Sequence, residues 1–360
     1  TDWIFIRLCV NRKFSCKFGI LSLNNSRVPK PFIAIFTVTL VYFPVFLFPL
    51  ALEESLYDSQ DSIIAADTLK TLRWWESAIE YSPQRMRYIV GGGSLMYGVT
   101  LVGLNYLWYE DYPRSSFHFF DDSGEWLQVD KAGHVVTPYL EAYYLQYIFR
   151  WAGMKPKPAA IYAGITAFML QNTIEVFDGF SAKWGASWSD VAANFVGSAL
   201  MTSQELLWNE QRMRLKIIHH FPDYPQGELS QRARDLYGKT LPERLFKDYN
   251  ALTVWLSMNP SSFGLSLGQP EWLNLAMGYG AANMYGGYNN IWTDENGILH
   301  DRSDIERYRR YFISPDIDFS RIKTKSRFLR IFFETLNIIK VPAPTLEINS
   351  SGQIIFHLLY

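Results

Sequence analysis

Residues 126–153 read WLQVDKAGHVVTPYLEAYYLQYIFRWAG, and residues 159–209 read AAIYAGITAFMLQNTIEVFDGFSAKWGASWSDVAANFVGSALMTSQELLWN. Three apolar segments follow one another, which predicts helices over 130–154, 158–180 and 187–209. Nearly every strongly polar residue sits near a segment end: Asp130, Lys131, His134, Glu175, Asp178, Asp190, Asn194 and Glu205. Polar groups cost free energy in an apolar bundle unless they pair with one another. These residues therefore either hold the bundle in register or form a site.

Short connections make successive helices antiparallel neighbours. The end of the second helix then lies beside the start of the third, and both lie beside the start of the first. Asp130 and His134 are four residues apart, as are Asp190 and Asn194, so each pair shares a helix face. Asp130, Lys131, His134, Glu175, Asp178, Asp190 and Asn194 are therefore expected to converge at one end of the bundle. In a functional reading His134 is a base or metal ligand, and Asp130, Lys131, Glu175, Asp178, Asp190 and Asn194 are the further catalytic candidates. The metal-ligand candidates are His134, Glu175, Asp178 and Asp190. One imidazole among carboxylates is poor in nitrogen for zinc and suits a harder divalent cation such as Mg, Mn or Ca. The competing reading is a lock, an ion-pair and hydrogen-bond network in which Lys131 neutralises a carboxylate. Ser187 or Ser189 is expected to cap the third helix.

Upstream, 86–109 (MRYIVGGGSLMYGVTLVGLNYLWY) is a fourth apolar segment, whose glycines read as helix packing. Residues 109–126 form a loop dense in aromatics and acids. Residues 1–31 are basic, and the uncharged run 32–52 follows, so an export signal or signal anchor is expected. Pro44 and Pro49 within the run favour a cleaved signal. Cys9 and Cys16 both precede that run, so no zinc-thiolate site or cysteine nucleophile is expected in the mature chain.

Downstream, NEQRMRLK (209–216) reads as a charged extension of the bundle, and 217–250 as a polar connector. His219, His220 and Asp223 belong to a solvated loop. From 251 the period shortens to two. ALTVWLSMN (251–259), EWLNLAMGYGA (271–281) and RYFISPDIDF (310–319) read as strands. Residues 323–340 read as an amphipathic helix, with Phe328, Ile331, Phe332, Thr335 and Leu336 on one stripe, resting on a membrane surface or on the sheet. The closing QIIFHLLY places Ile354, Phe356, Leu358 and Tyr360 on one side of a strand, a pattern similar to the assembly signal of outer-membrane β-proteins.

The expected fold is α+β: an apolar, membrane-type helical bundle (86–216), then an antiparallel β portion with an interfacial helix (251–360). Residues 1–52 form the signal region and 53–85 a linker. With a formal net charge of −1 nothing points to a nucleic-acid partner, which requires a basic patch, and none is expected. Aromatic residues make up 16%, with 12 Trp and 22 Tyr, a composition suited to half-wet surfaces. Membrane lipid and an envelope protein are the expected partners. No Walker, Rossmann, zincin or G-x-S-x-G motif is present. No cofactor is expected beyond a divalent cation.

The segments DKAGH, EVFDGFSAKWGASWSD and AANFVGSAL resemble the uncharacterised YfiM-like envelope family, and LLWNEQR, DYNALTVWLS and IKVPAPTLE resemble its longer Bacteroidota-type members. The order of Asp130, Lys131, His134, Glu175, Asp178, Ser187, Asp190, Asn194 and Gly197 is also similar to that in VanZ-like membrane proteins. The resemblance implies an exported protein of the Gram-negative envelope, at the periplasmic face or in the outer membrane. It implies no activity.

Overall fold

A computed structural model describes residues 76–110, 112–265, 268–294 and 296–360. The expected signal region and most of the expected linker lie outside the described residues. The elements run α1 (Pro83–Leu104), α2 (Val129–Trp151), α3 (Pro156–Gly179), α4 (Trp188–Trp208), β1 (Met213–His219), α5 (Glu228–Tyr237) and α6 (Leu241–Lys247). They continue with β2 (Leu252–Met258), β3 (Leu273–Ala282), β4 (Ile291–Thr293), β5 (Leu299–Asp301), β6 (Tyr308–Ile317), α7 (Arg327–Leu336), β7 (Thr345–Asn349) and β8 (Ile354–His357).

Local chemistry places the helix ends. Ser82 and Ser187 cap α1 and α4 through their side chains, and Pro156 opens α3 where no backbone donor is needed. Thr240 and Glu243 form a reciprocal capping box on α6. Helices α2, α3 and α4 pack against one another, and α2 also lies on the sheet. Pro138 sits inside α2 and removes the backbone bond to the carbonyl of His134. Gly197 lets α4 approach there: a Cβ at this position would stand 2.0 Å from the Val135 carbonyl oxygen and 3.0 Å from Pro138.

Six antiparallel strands form one sheet in the order β1-β2-β3-β6-β7-β8, and β4 and β5 pair separately. Register sets Met277 opposite Ile313 and Gly278 opposite Phe312, so like faces like across the sheet. One face is apolar. On β1 and β2 it is covered, because Leu215 and Val254 join Val136, Tyr139 and Tyr143 of α2 in the main core. On β3, β6 and β7 the described residues leave the same face open, with Leu275, Met277, Ile313 and Ile348 between 44% and 49% exposed. The opposite face is polar and buried. Lys216 and Asp316 pair at 2.8 Å with no exposure of either side chain, and Arg310 pairs with the buried Glu347 at 2.7 Å. Trp255, Ala276, Phe312 and Tyr360 form a small core among these charges.

Several expectations are corrected. The helices are not an apolar membrane-type bundle: among the described residues no helix is long and apolar enough to cross a membrane. The reason is that α2, α3 and α4 carry Glu141, Gln146, Gln171, Glu175, Asp190, Asn194, Gln204 and Glu205, most of them buried, so the helices are joined by polar contacts as well as by apolar packing. The charged extension after 209 is in fact strand β1, whose Arg214 and Lys216 face the buried polar network. Residues 217–250 contain the two helices α5 and α6. Gly91, Gly92, Gly93 and Gly98 of α1 meet nothing within 4 Å, so among the described residues they bring no helix close. In α7, Ile331 packs on the main core while Phe328 and Phe332 point outward, 73% and 46% exposed. Strand β8 ends at His357, and Tyr360 turns in to stack on Phe312 and His220.

Candidate functional site

The N-terminal turn of α2, the C-terminal turns of α3 and the N-terminal turns of α4 meet at one end of the helices, joined by the loop before α2. Lys131 lies at the centre. Its ammonium stands 2.7 Å from Asp122 Oδ2, 3.0 Å from Asp130 Oδ2 and 2.6 Å from Asp190 Oδ1. Asp122 Oδ1 also accepts from the hydroxyls of Ser187 (2.5 Å) and Ser189 (2.8 Å), and Ser187 in turn accepts from the backbone N–H of Asp190. The loop, α2 and α4 are thus tied through one ammonium and one cap.

His134 lies one turn further along α2. Its Nδ1 donates to Asn194 Oδ1 at 3.1 Å. Its Nε2 faces Asp190 Oδ1 at 3.7 Å and Asp130 Oδ1 at 3.9 Å. Glu175 Oε1 lies 3.9 Å from Nδ1, while Oε2 accepts from the backbone N–H of Ser187. Tyr249 donates to Asp130 Oδ1 at 2.6 Å, and Tyr109 donates to Asp178 Oδ1 at 2.7 Å. Asp130, Lys131, His134, Glu175, Asp190 and Asn194 therefore meet, and the seventh candidate, Asp178, stands near enough to share their field while bonding Tyr109. Glu205 does not join them: it lies at the far end of α4 and bonds Gln146 and Gln211.

The electrostatics follow from burial and from an excess of acids. Burial pushes the Glu175 carboxyl up to about 8, against the pull of His134. Burial likewise raises Asp178 to about 7, against the hydrogen bond from Tyr109, and raises Asp190, against His134. Asp122 goes the other way: burial raises it, but hydrogen bonds from Lys131 and Ser187 outweigh that and hold it at about 2. For His134 burial favours the neutral ring, yet the surrounding Asp130, Asp190 and Glu175 hold its pKa above the ordinary value.

Sequence reasoning missed four neighbours. Asp122 and Glu125 belong to the loop before α2, and Tyr109 and Tyr249 lie far from the motif in sequence. The density of acids and aromatics in 109–126 was the one signal for the first two. What brings them in is the turn at Trp126, Leu127 and Gln128, all three in left-handed conformation with φ of 50°, 49° and 63°. Such residues cost about 1–3 kcal/mol each and persist only where the surroundings over-determine them. Here Trp126 N–H donates to Gly287 O, Tyr279 OH donates to Leu127 O, and Gln128 accepts from Arg309.

Residues 118–204 match the model of a family described as predicted periplasmic lipoprotein (DUF2279). The matched stretch is less than half of the chain and contains all seven cluster residues. No curated protein matches, and no solved structure matches. The match supports a cell-envelope protein from an uncharacterised, exported family, and the family description carries no activity. It does not extend to the YfiM or VanZ names.

Proposed function

We propose that this is an envelope protein that contacts lipid through the open apolar face of its sheet, with the helical cluster holding the rest of the molecule in register. One observation carries the reading: on β3, β6 and β7 the sheet has its charges inside and its apolar side chains outside. From Leu273 to Tyr279 and from Tyr311 to Ile317, every outward position is Leu, Met, Tyr, Ile or Pro. A protein partner requires about one hydrogen bond per 100–200 Å² of interface, and this face offers almost no donor or acceptor. Lipid hydrocarbon requires none. The helices add to the case, since Met169 and Val176 of α3 and Phe195 of α4 are each at least half exposed. The narrower YfiM-like kinship belongs to this reading, carried by the DKAGH and EVFDGFSAKWGASWSD segments. The second reading, an internal lock with no ligand, is favoured by the three carboxylates that Lys131 already bridges.

The test places an environment-sensitive dye at position 313, through Ile313→Cys in a chain whose Cys9 and Cys16 are replaced by Ser. On adding phosphatidylcholine vesicles, the emission is expected to shift to the blue and to be quenched by brominated lipid. A dye at Asp304→Cys is expected to stay in water. Water-like emission at 313 with vesicles bound would defeat the proposal.

A further inference from the structure

We infer that Asp130, His134 and Asp190 bind a divalent cation, on the carboxylate oxygens that face His134 Nε2. Asp130 Oδ1, Asp190 Oδ1 and Nε2 all lie within 4.8 Å of one another. Divalent cations hold such atoms at about 2.0–2.6 Å, which sets ligand atoms about 3–5 Å apart around the ion. The imidazole is oriented for the task. With Nδ1–H given to Asn194, Nε2 faces the two aspartates, and on losing its proton as the cation enters it becomes a ligand whose orientation Asn194 fixes. Asp130 and His134 keep 15% and 19% side-chain exposure, so the site lies just beneath the surface.

A cluster of acids alone would not make a site, and a second observation points to an occupant. Glu175 is 3% exposed, and its Oε1, directed at His134, has no hydrogen-bond partner. Asn194 is fully buried, and its Nδ2 has none either. Buried polar atoms are otherwise almost always paired. Asp190 Oδ1, one of the proposed ligand atoms, is likewise buried and, its contact with Lys131 apart, has no hydrogen-bond partner. Charge agrees: burial pushes Glu175 and Asp178 towards the neutral form, and once His134 is a neutral ligand, Asp122, Asp130 and Asp190 face Lys131 as their one cation in the cluster. Lys131 contacts Asp190 Oδ1 and leaves that oxygen a second lone pair, so it acts as a partner of the ligand set. Oxygen-rich ligation with one nitrogen suits Mn²⁺ or Mg²⁺.

The experiment titrates the chelator-treated full-length protein with Mn²⁺, followed by the loss of the free-ion electron paramagnetic resonance signal. One tight site per chain is expected. Asp190→Asn and His134→Gln are expected to abolish it, and Asn194→Ala to weaken it by about 10–100-fold. Asp304→Asn is expected to bind as wild type. Circular dichroism of each variant separates lost binding from lost fold, and His134→Gln keeps a side-chain amide near Asn194. Absence of a site in the folded wild type, or undiminished binding in folded Asp190→Asn and His134→Gln, would overturn the inference. The vesicle test above fails or succeeds separately.

Discussion

Glu141 shows what a single buried acid does here. It lies within α2, accepts from Gln171 Nε2 at 2.7 Å through Oε1, and leaves Oε2 buried without a partner. Burial pushes its carboxyl up to about 8, while the Gln171 bond pulls the other way. The folded pKa thus exceeds the unfolded one. The folded state holds the extra proton between the two values, so its stability is fully present below the ordinary carboxyl range and is lost as pH rises through about 8. Glu141→Gln removes the titrating group. Its melting temperature is expected to match wild type near the ordinary carboxyl pKa and to exceed it increasingly towards alkaline pH. Melting curves across that range check this, and parallel pH profiles would refute it. Nothing in EAYYLQYI marks Glu141 as special, since its environment comes from Gln171, thirty residues away. Asp130, His134, Asp190 and Asn194 were legible because helical spacing alone puts each pair on one face.

At the scale of elements, glycine divides by position. Gly197→Ala would drive a methyl into the Val135 carbonyl and Pro138, and α2 and α4 must part or shift. A loss of about 1–3 kcal/mol is expected. Gly92→Ala in α1 meets nothing within 4 Å and is expected to gain up to about 1 kcal/mol. Urea midpoints of the two variants should therefore move in opposite directions. Helices α2, α3 and α4 were readable because each carries a long apolar stretch that ends in cap or turn chemistry. Strand β1 was not. Its alternation is carried by Arg214 and Lys216 facing inward, and charge in a sequence reads as surface. Helix α5, in a stretch rich in turn residues, was hidden because its stability comes from Leu229, Ala233 and Tyr237 packing on other parts of the chain.

Across the whole molecule, the β portion depends on ion pairs enclosed by strands. Lys216→Ala strands Asp316, which would keep only the Ser257 hydroxyl and the Val341 backbone N–H. Removing one partner of such a pair costs about 3–5 kcal/mol. Lys216→Met combined with Asp316→Leu is expected to recover most of that loss in urea unfolding. The sequence revealed the period of β2, β3 and β6 but not which face was inside. Alternation defines two faces, and the usual assignment puts the apolar one within. The tertiary structure decides otherwise: strands β1 and β2 give their apolar face to α2, and the strands beyond them extend that face past the edge of the helices.

That polarity bears on how the chain can change over evolutionary time. A face that meets lipid, as proposed for this sheet, demands greasiness without shape, so Leu275, Met277, Ile313 and Ile348 would then be free to drift among apolar residues one at a time. The enclosed partners have no such freedom. Lys216 with Asp316, and Arg310 with Glu347, can be exchanged only together, so in a deep collection of relatives these positions should vary as linked pairs while the outward ones vary independently.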